Sequence, residues 1–303
     1  MISNVFTLKQ LEALVWVADL GSFRKAAQHL NTTQPNISTR IAGLEAALGA
    51  VLMERDAGSV RLTEKGRAVL EAARAVLRNG EALVEAAARP DLVEDRLRLG
   101  VTEMVASTWL HSYLRRLKAV YPAVSVELTI DLSRNLDKVL SANGLDLAIQ
   151  TAPFGTPASG VIELGKYPFV WVAGPMLAEG LPQGAGVADL IPRTILTHAR
   201  HTQSYIELAE YAESHGLPVQ RFVPVSSLTS SLKMAADGLG VALAPAAMAA
   251  MDVAEGRLVV LNVGWLPSPL RFAARYQVEK VARHVEVAAQ LAGEVARKFQ
   301  TEH

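Results

Sequence analysis

The chain has no cysteine in its 303 residues. That excludes disulfides, thiolate zinc sites, iron–sulfur clusters and a cysteine redox sensor within it. It also lacks an excess of either charge, with lysine plus arginine and aspartate plus glutamate at 30 each. A neutral total argues against a bulk polyanion binder but leaves local patches open. No apolar run approaches the ~20 residues of a membrane-spanning helix, so no membrane partner is expected. Met1 to Lys9 has no basic segment followed by an apolar run, so no signal peptide is visible and cytoplasmic residence is expected. Low-complexity tracts are missing. So are a phosphate loop, a G-x-S-x-G elbow and an H-E-x-x-H pair, and the acidic residues form no paired constellation. No cofactor, metal or catalytic residue is assigned, and the chain does not read as an enzyme.

What is present is apolar material. Half the residues are hydrophobic, enough for two or three compact domains. Leu8, Leu11, Val15 and Ala18 form a helical stripe that Gly21 stops. Ser22 is a plausible cap for a second short helix with Phe23, Ala26, Ala27 and Leu30 inward. A third helix begins at Thr33, tolerates Pro35 in its first turn and buries Ile37, Ile41, Leu44 and Leu48. Its first turns are crowded with small polar groups: Thr33, Gln34, Asn36, Ser38 and Arg40. Residues 50–63 read as a β-hairpin turning at Ala57-Gly58-Ser59. A long helix follows, in which Val69, Ala73, Val76, Gly80, Leu83 and Ala87 make a dimerisation seam of about three heptads. Arg89-Pro90-Asp91 closes it as a linker.

Beyond the linker, strand candidates 97–101, 124–130 and 145–151 alternate with helices around 107–120 and 134–143. This order predicts an α/β unit with a largely parallel sheet. A second set runs through strands at 168–174, 193–197, 221–225, 240–245 and 257–263, with helices at 203–215 and 227–237. A late strand at 270–276 and a helix at 278–299 return to the first unit.

Three short helices, a hairpin wing and a dimer-forming helix describe a winged helix-turn-helix. The first turn of a recognition helix points at base edges in the major groove. Gln34 and Asn36 suit adenine bidentately, Ser38 and Thr33 suit a phosphate or a base, and Arg40 suits a phosphate or guanine. A polar first turn is also what ordinary capping produces. The stretch 8–66 settles the comparison: G-S-F-x-x-A-A at 21–27, T-Q-P-x-x-S at 33–38, L-E-x-x-L-G at 44–49 and L-T-x-x-G at 62–66 resemble the LysR-type transcriptional regulators. "YPAVSVEL", "LDLAI" and "AADGLGVALAP" extend the resemblance, more weakly, to the rest of the chain.

The resemblance implies an α/β chain with an N-terminal all-α winged helix-turn-helix (1–65), a long linker and dimerisation helix (66–90) and an effector domain (91–303). That domain is a two-lobed periplasmic-binding-protein-like α/β structure, with lobe I at 91–160 and 267–303 and lobe II at 161–266. It implies a cytoplasmic homo-oligomer, a dimer of dimers, bound to an inverted repeat in double-stranded DNA and contacting RNA polymerase. The candidate DNA contacts are Ser22, Arg24, Thr33, Gln34, Pro35, Asn36, Ser38, Thr39, Arg40, Arg55 and Arg61. A small-molecule effector would lie between the lobes at Thr102, Glu103, Ser133, Thr151, Arg200, His201, Thr202, Ser227 and Thr229. If Glu103 faces the cleft, an amine or hydroxyl-bearing ligand is favoured, with Arg200 or His201 holding a carboxylate; an amino-acid-like or small carboxylate effector is the working expectation. His198-x-x-His201 lacks a third metal ligand nearby and reads as cleft lining.

The sequence departs from the family pattern at three places. Thr39 stands where the family usually has arginine, and Arg40 follows; one residue of helix rotates a side chain by ~100°. Met53 replaces a usual phenylalanine. The wing tip is uncharged apart from Asp56, and residues 1–66 carry seven basic against six acidic residues. Three rival readings stay open: a solute-binding protein, an enzyme on the same fold, and an effector-independent DNA-binding protein.

Overall fold

In the computed structural model, residues 5–56, 59–87, 89, 92–182, 184–278 and 282–302 are described, apart from the side chains of residues 55, 56, 59 and 85. The wing tip Ala57-Gly58, the linker residues Pro90 and Asp91, and the Arg55 side chain therefore lie outside the described part.

Helices α1 (Leu8–Leu20), α2 (Phe23–His29) and α3 (Gln34–Leu48) pack on one core. Each has a local reason to start. Thr7 and Gln10 form a capping box on α1, Ser22 caps α2, and Thr33 caps α3 with its hydroxyl accepting from Asn36 N–H at 3.5 Å. Gly21 and Gly49 end α1 and α3 in the left-handed conformation, where a Cβ is unwelcome. Strands β1 (Met53–Asp56) and β2 (Ser59–Leu62) form the antiparallel wing, and α4 (Glu64–Ala86) leaves it.

The motif residues have structural work around the wing. Glu45 Oε1 accepts from Leu52 N–H at 2.7 Å and Met53 N–H at 3.2 Å, tying α3 to the wing's start. Thr63 Oγ1 donates to Val51 O at 2.8 Å and accepts from Gly66 N–H at 2.9 Å. A Cβ on Gly66 would stand 2.0 Å from Leu52 O, so only glycine lets α4 pass the wing this closely.

The expected seam of α4 is corrected in register. Ala73 is buried in the N-terminal core, and Val69 packs against that core, so neither is free for a partner. Ala87 lies just past the helix. The exposed apolar stripe is Ala68, Ala72, Val76, Leu83 and Ala86, with Leu83 72% exposed.

Two five-stranded sheets follow. The first contains β3 (Arg96–Val101), β4 (Ser125–Ile130), β5 (Leu147–Thr151), β6 (Gly160–Tyr167) and β12 (Leu270–Tyr276), ordered β4-β3-β5-β12-β6. Helices α5 (Glu103–Ser107), α6 (Leu110–Val120), α7 (Ser133–Ser141) and α13 (Arg283–Glu302) accompany it. The second contains β7 (Phe169–Ala173), β8 (Ile195–His198), β9 (Phe222–Val225), β10 (Val241–Pro245) and β11 (Val259–Leu261), ordered β11-β7-β10-β8-β9. Its helices are α8 (Pro175–Glu179), α9 (Val187–Leu190), α10 (Gln203–Ser214), α11 (Leu228–Ala236) and α12 (Ala246–Ala254).

Neither sheet is wholly parallel. β12 runs antiparallel to both β5 and β6, and β7 antiparallel to β10 and β11. Strand β6, which the sequence reading did not resolve, pairs with β12, so the first crossover falls at Pro168 and not at residue 160. The second crossover, after β11, is pinned where Trp171 Nε1 donates to Trp265 O at 2.9 Å and Ser268 N–H to Glu207 at 2.6 Å.

The N-terminal unit rests on the first lobe. The Arg98 guanidinium lies 5.6 Å over the Trp16 ring, and Asp95 stands 3.8 Å from His29 and 3.9 Å from His284. Asp19 pairs with Arg74, and Arg283 N–H donates to Glu81. Among the described residues no helix is long and apolar enough to cross a membrane.

Candidate DNA-reading helix and inter-lobe cleft

The α3 mouth separates into anchor and face. Ile37, Ile41 and Leu44 are buried, whereas Thr33, Gln34, Pro35, Asn36 and Thr39 are exposed. The Gln34 side chain makes no hydrogen bond among the described residues, so its amide is free for an outside partner. Asn36 is partly occupied, its Nδ2 donating to Thr32 Oγ1 at 3.2 Å. Ser38 and Arg40 are half-buried. Arg40 lies near Glu12 of α1, where burial raises the Glu12 carboxyl and Arg40 opposes that rise. The Ser22 hydroxyl accepts from Lys25 N–H at 3.4 Å, while Arg24 and Arg61 are exposed.

Between the lobes lies a cavity of about 530 Å³, within the usual range for small-molecule sites. Thr102, Glu103, Ser133, Thr151, His201, Thr202 and Ser227 line it, as the sequence predicts. Arg200 does not. It is exposed, donates to the Tyr205 hydroxyl at 3.0 Å and lies over that ring, so it is corrected out of the cleft. Thr229 is also outside and lines a separate groove of about 1360 Å³ between α6, α11, α12 and α13.

The cleft's hydroxyls differ in availability. Ser133 Oγ accepts from Thr151 N–H at 2.9 Å and lies 2.8 Å from Thr151 Oγ1, so those two satisfy each other. Thr202 donates to Ala199 O at 2.7 Å. Thr102 Oγ1 and His198 Nε2 are buried without a hydrogen-bond partner. Burial pushes the His198 imidazole down to about 4, against the attraction of Glu103, so it is neutral near pH 7. Asp137, also on the wall, is hydrogen-bonded by Gln150 at 3.1 Å and by buried Arg275 at 2.6 Å. Burial would raise its pKa, and these bonds hold it below the usual carboxylate value.

Glu103 does not stand open to a ligand. Its carboxylate accepts from Ser227 Oγ at 2.8 Å, Leu228 N–H at 2.7 Å and Thr229 N–H at 3.1 Å, all at the start of α11 on the other lobe. Burial raises its pKa, and these three bonds outweigh burial and hold the carboxyl below its ordinary range.

The apolar wall went unread in the sequence. Phe169 begins β7, and Leu270 and Phe272 lie early in β12. Because these strands run antiparallel, their first residues reach the edge where the parallel strands end: Phe169 pairs with Pro245, and Phe272 with Thr151. A search confined to the carboxyl ends of strands passes over them. Among the described residues no group of three or more metal-type ligands occurs.

Comparison with known proteins matches residues 8–67 to the bacterial regulatory helix-turn-helix proteins of the lysR family and residues 90–297 to the LysR substrate binding domain. A "probable hydrogen peroxide-inducible genes activator" of Streptomyces viridosporus is 31% identical over 300 residues, covering 94% of this chain and 93% of its own length. Full-length LysG from Corynebacterium glutamicum with bound effector Arg has the same fold at 21% identity and a TM-score of 0.60, covering 97% of this chain and 99% of that one. Full-length CbnR complexed with target DNA does so at 20% identity and a TM-score of 0.52, covering 96% and 100%. With both matched regions present in order and a relative of this identity along nearly its whole length, the chain belongs to the LysR family of transcriptional regulators, joining a DNA-binding helix-turn-helix to an effector-binding domain.

Proposed function

We propose that this chain binds an inverted repeat in double-stranded DNA through α3, as a dimer or dimer of dimers paired along α4. A small molecule between the lobes then alters DNA binding or bending and RNA polymerase contact. The observation that carries this reading is the exposed polar first turn of α3, held rigid by three buried aliphatic anchors behind it. Gln34 is the principal base reader. Thr33, Asn36, Thr39, Arg24 and Arg61 support it, and Ser22 and Ser38 act from the helix starts. The residues named are regulatory and the role is cytoplasmic; no catalytic function is assigned.

The amino-acid-like or small carboxylate effector that the sequence suggested would have to be held without Arg200. Arg200 is outside the cleft and Glu103 is already engaged, so apolar walls, the unpaired Thr102 and His198 groups, and exposed Arg134 and Asp131 remain to hold a ligand. The Streptomyces relative's name speaks of hydrogen peroxide. With no cysteine, thiol oxidation is closed to this chain, and that response is not carried over.

Replacing Gln34 by Ala tests the reading head. Affinity for a DNA site selected by the protein should fall ~10–100-fold relative to scrambled DNA, the ~1–3 kcal/mol of a bidentate base contact. Equal losses on both DNAs, read by fluorescence anisotropy, would make Gln34 a backbone contact and overturn the assignment.

A further inference from the structure

The start of α11 is already occupied by an anion, and the anion is part of the chain. Two backbone amides and one hydroxyl converge on the Glu103 carboxylate. A small free anion is commonly held in this way, by unpaired N–H groups and the positive end of a nine-residue helix. Ser227 completes the arrangement, its hydroxyl also accepting from Ser230 N–H at 3.2 Å. The first three amides of α11 are thus all satisfied without a ligand. The bonds also cross the cleft, from lobe I to lobe II. Beside them, Thr102 Oγ1 and His198 Nε2 are buried on the cavity wall and unpaired. Buried polar atoms rarely stay so, and a ligand in the cavity would satisfy them.

We propose that Glu103 determines specificity, as a built-in carboxylate that fills the anion position at α11, ties the lobes together and leaves the effector to be bound elsewhere in the cleft, beside the unpaired Thr102 and His198. The effector part of this statement rests on reading the cleft as the effector site; the tethering part does not. Glutamate here excludes a ligand carboxylate from the start of α11 twice, by occupying its donors and by repelling it.

Chemical rescue tests the tether with no effector or DNA present, so it can fail independently of the cleft assignment. Glu103→Ala should leave a carboxylate-sized vacancy in front of Leu228 and Thr229. Its melting temperature should fall by several degrees, and 50 mM sodium formate or acetate should recover much of the loss relative to equal sodium chloride. Wild type and Glu103→Gln, whose side chain still fills the space, should show no such anion response. An alanine variant that formate does not stabilise, or a wild type that gains equally, overturns the proposal. Hydrogen exchange on wild type and Glu103→Gln gives a second reading that does not need the alanine variant to fold. The amides of Leu228 and Thr229 should be strongly protected in wild type, indifferent to formate, and exchange at least tenfold faster in the glutamine variant. Fast exchange in wild type, or no change on substitution, is equally fatal.

Discussion

His198 shows what burial does to a single side chain in this protein. Its imidazole is pushed down to about 4 by burial, with Glu103 pulling the other way and His201 adding to the drop. Between that value and the ordinary 6.5, the unfolded chain binds a proton that the folded chain refuses. Stability therefore rises with pH across that window and levels off above it. His198→Gln should flatten the curve between pH 6.5 and 4, by up to about 3 kcal/mol. His29 and His284 are also lowered, mainly by burial, but they remain in both proteins, so the difference between two urea-denaturation series isolates His198. Parallel curves would rule out the assignment. Glu103 acts lower on the scale: its contribution is present above the ordinary carboxylate value and is lost as pH falls through its depressed one.

Residues at this scale were legible where a local rule governs them. Thr102 and Thr151 end strands, and Ser227 caps a helix, so position alone marks them as cleft candidates. The partner of Glu103 was not legible, because Ser227 lies 124 residues further along the chain. Only the packing of one lobe on the other brings them together. Arg200 failed for a related reason: the sequence puts it in the correct loop, but the aromatic ring of Tyr205 holds it outside.

At the scale of elements, α4 carries apolar residues on two faces, and spacing by threes and fours fits either one. The face through Leu70, Ala73 and Leu77 belongs to the N-terminal core. The face through Ala68, Ala72, Val76 and Leu83 stays exposed. The sequence shows both stripes and cannot say which one the domain consumes for itself. Leu83→Glu, on the exposed stripe, should weaken self-association at least tenfold in sedimentation experiments while leaving the far-ultraviolet circular dichroism unchanged. Ala73→Glu should instead destabilise the N-terminal fold, since it buries a charge. If the two variants behave alike, the division of faces is wrong. The antiparallel strands taught a similar lesson. Both β7 and β12 have ordinary strand sequences, and nothing local states their direction, so the apolar wall of the cleft came only with the topology.

At the scale of the whole molecule, the near balance of charge in residues 1–66 governs how the protein meets DNA. Phosphate neutralisation and counterion release supply most non-specific affinity, with a log–log salt slope of about 0.9 per phosphate neutralised. Of the seven basic residues in this stretch Lys9, Arg24, Lys25, Arg61 and Lys65 are exposed, and six acidic residues stand against them. The slope for a dimer should be on the order of three to five, against the ten or so of a strongly basic repressor. A titration releasing many more ions would show that charges elsewhere in the chain join the contact.

The seat of the N-terminal unit on lobe I sets the frame in which any motion is seen. Trp16 under Arg98, His29 beside Asp95 and Glu81 against the start of α13 attach the reading head and its helix to one half of the sensor only. These contacts predict that lobe I moves together with the reading head. If a ligand changes the width of the cleft, the same contacts predict that lobe II swings about the crossovers at Pro168 and after β11. A distance probe between α3 and lobe I should stay constant on ligand addition, and one between α3 and α11 should not. On that geometry, the surface that lobe II presents to its neighbours is where an effector-linked change is expected.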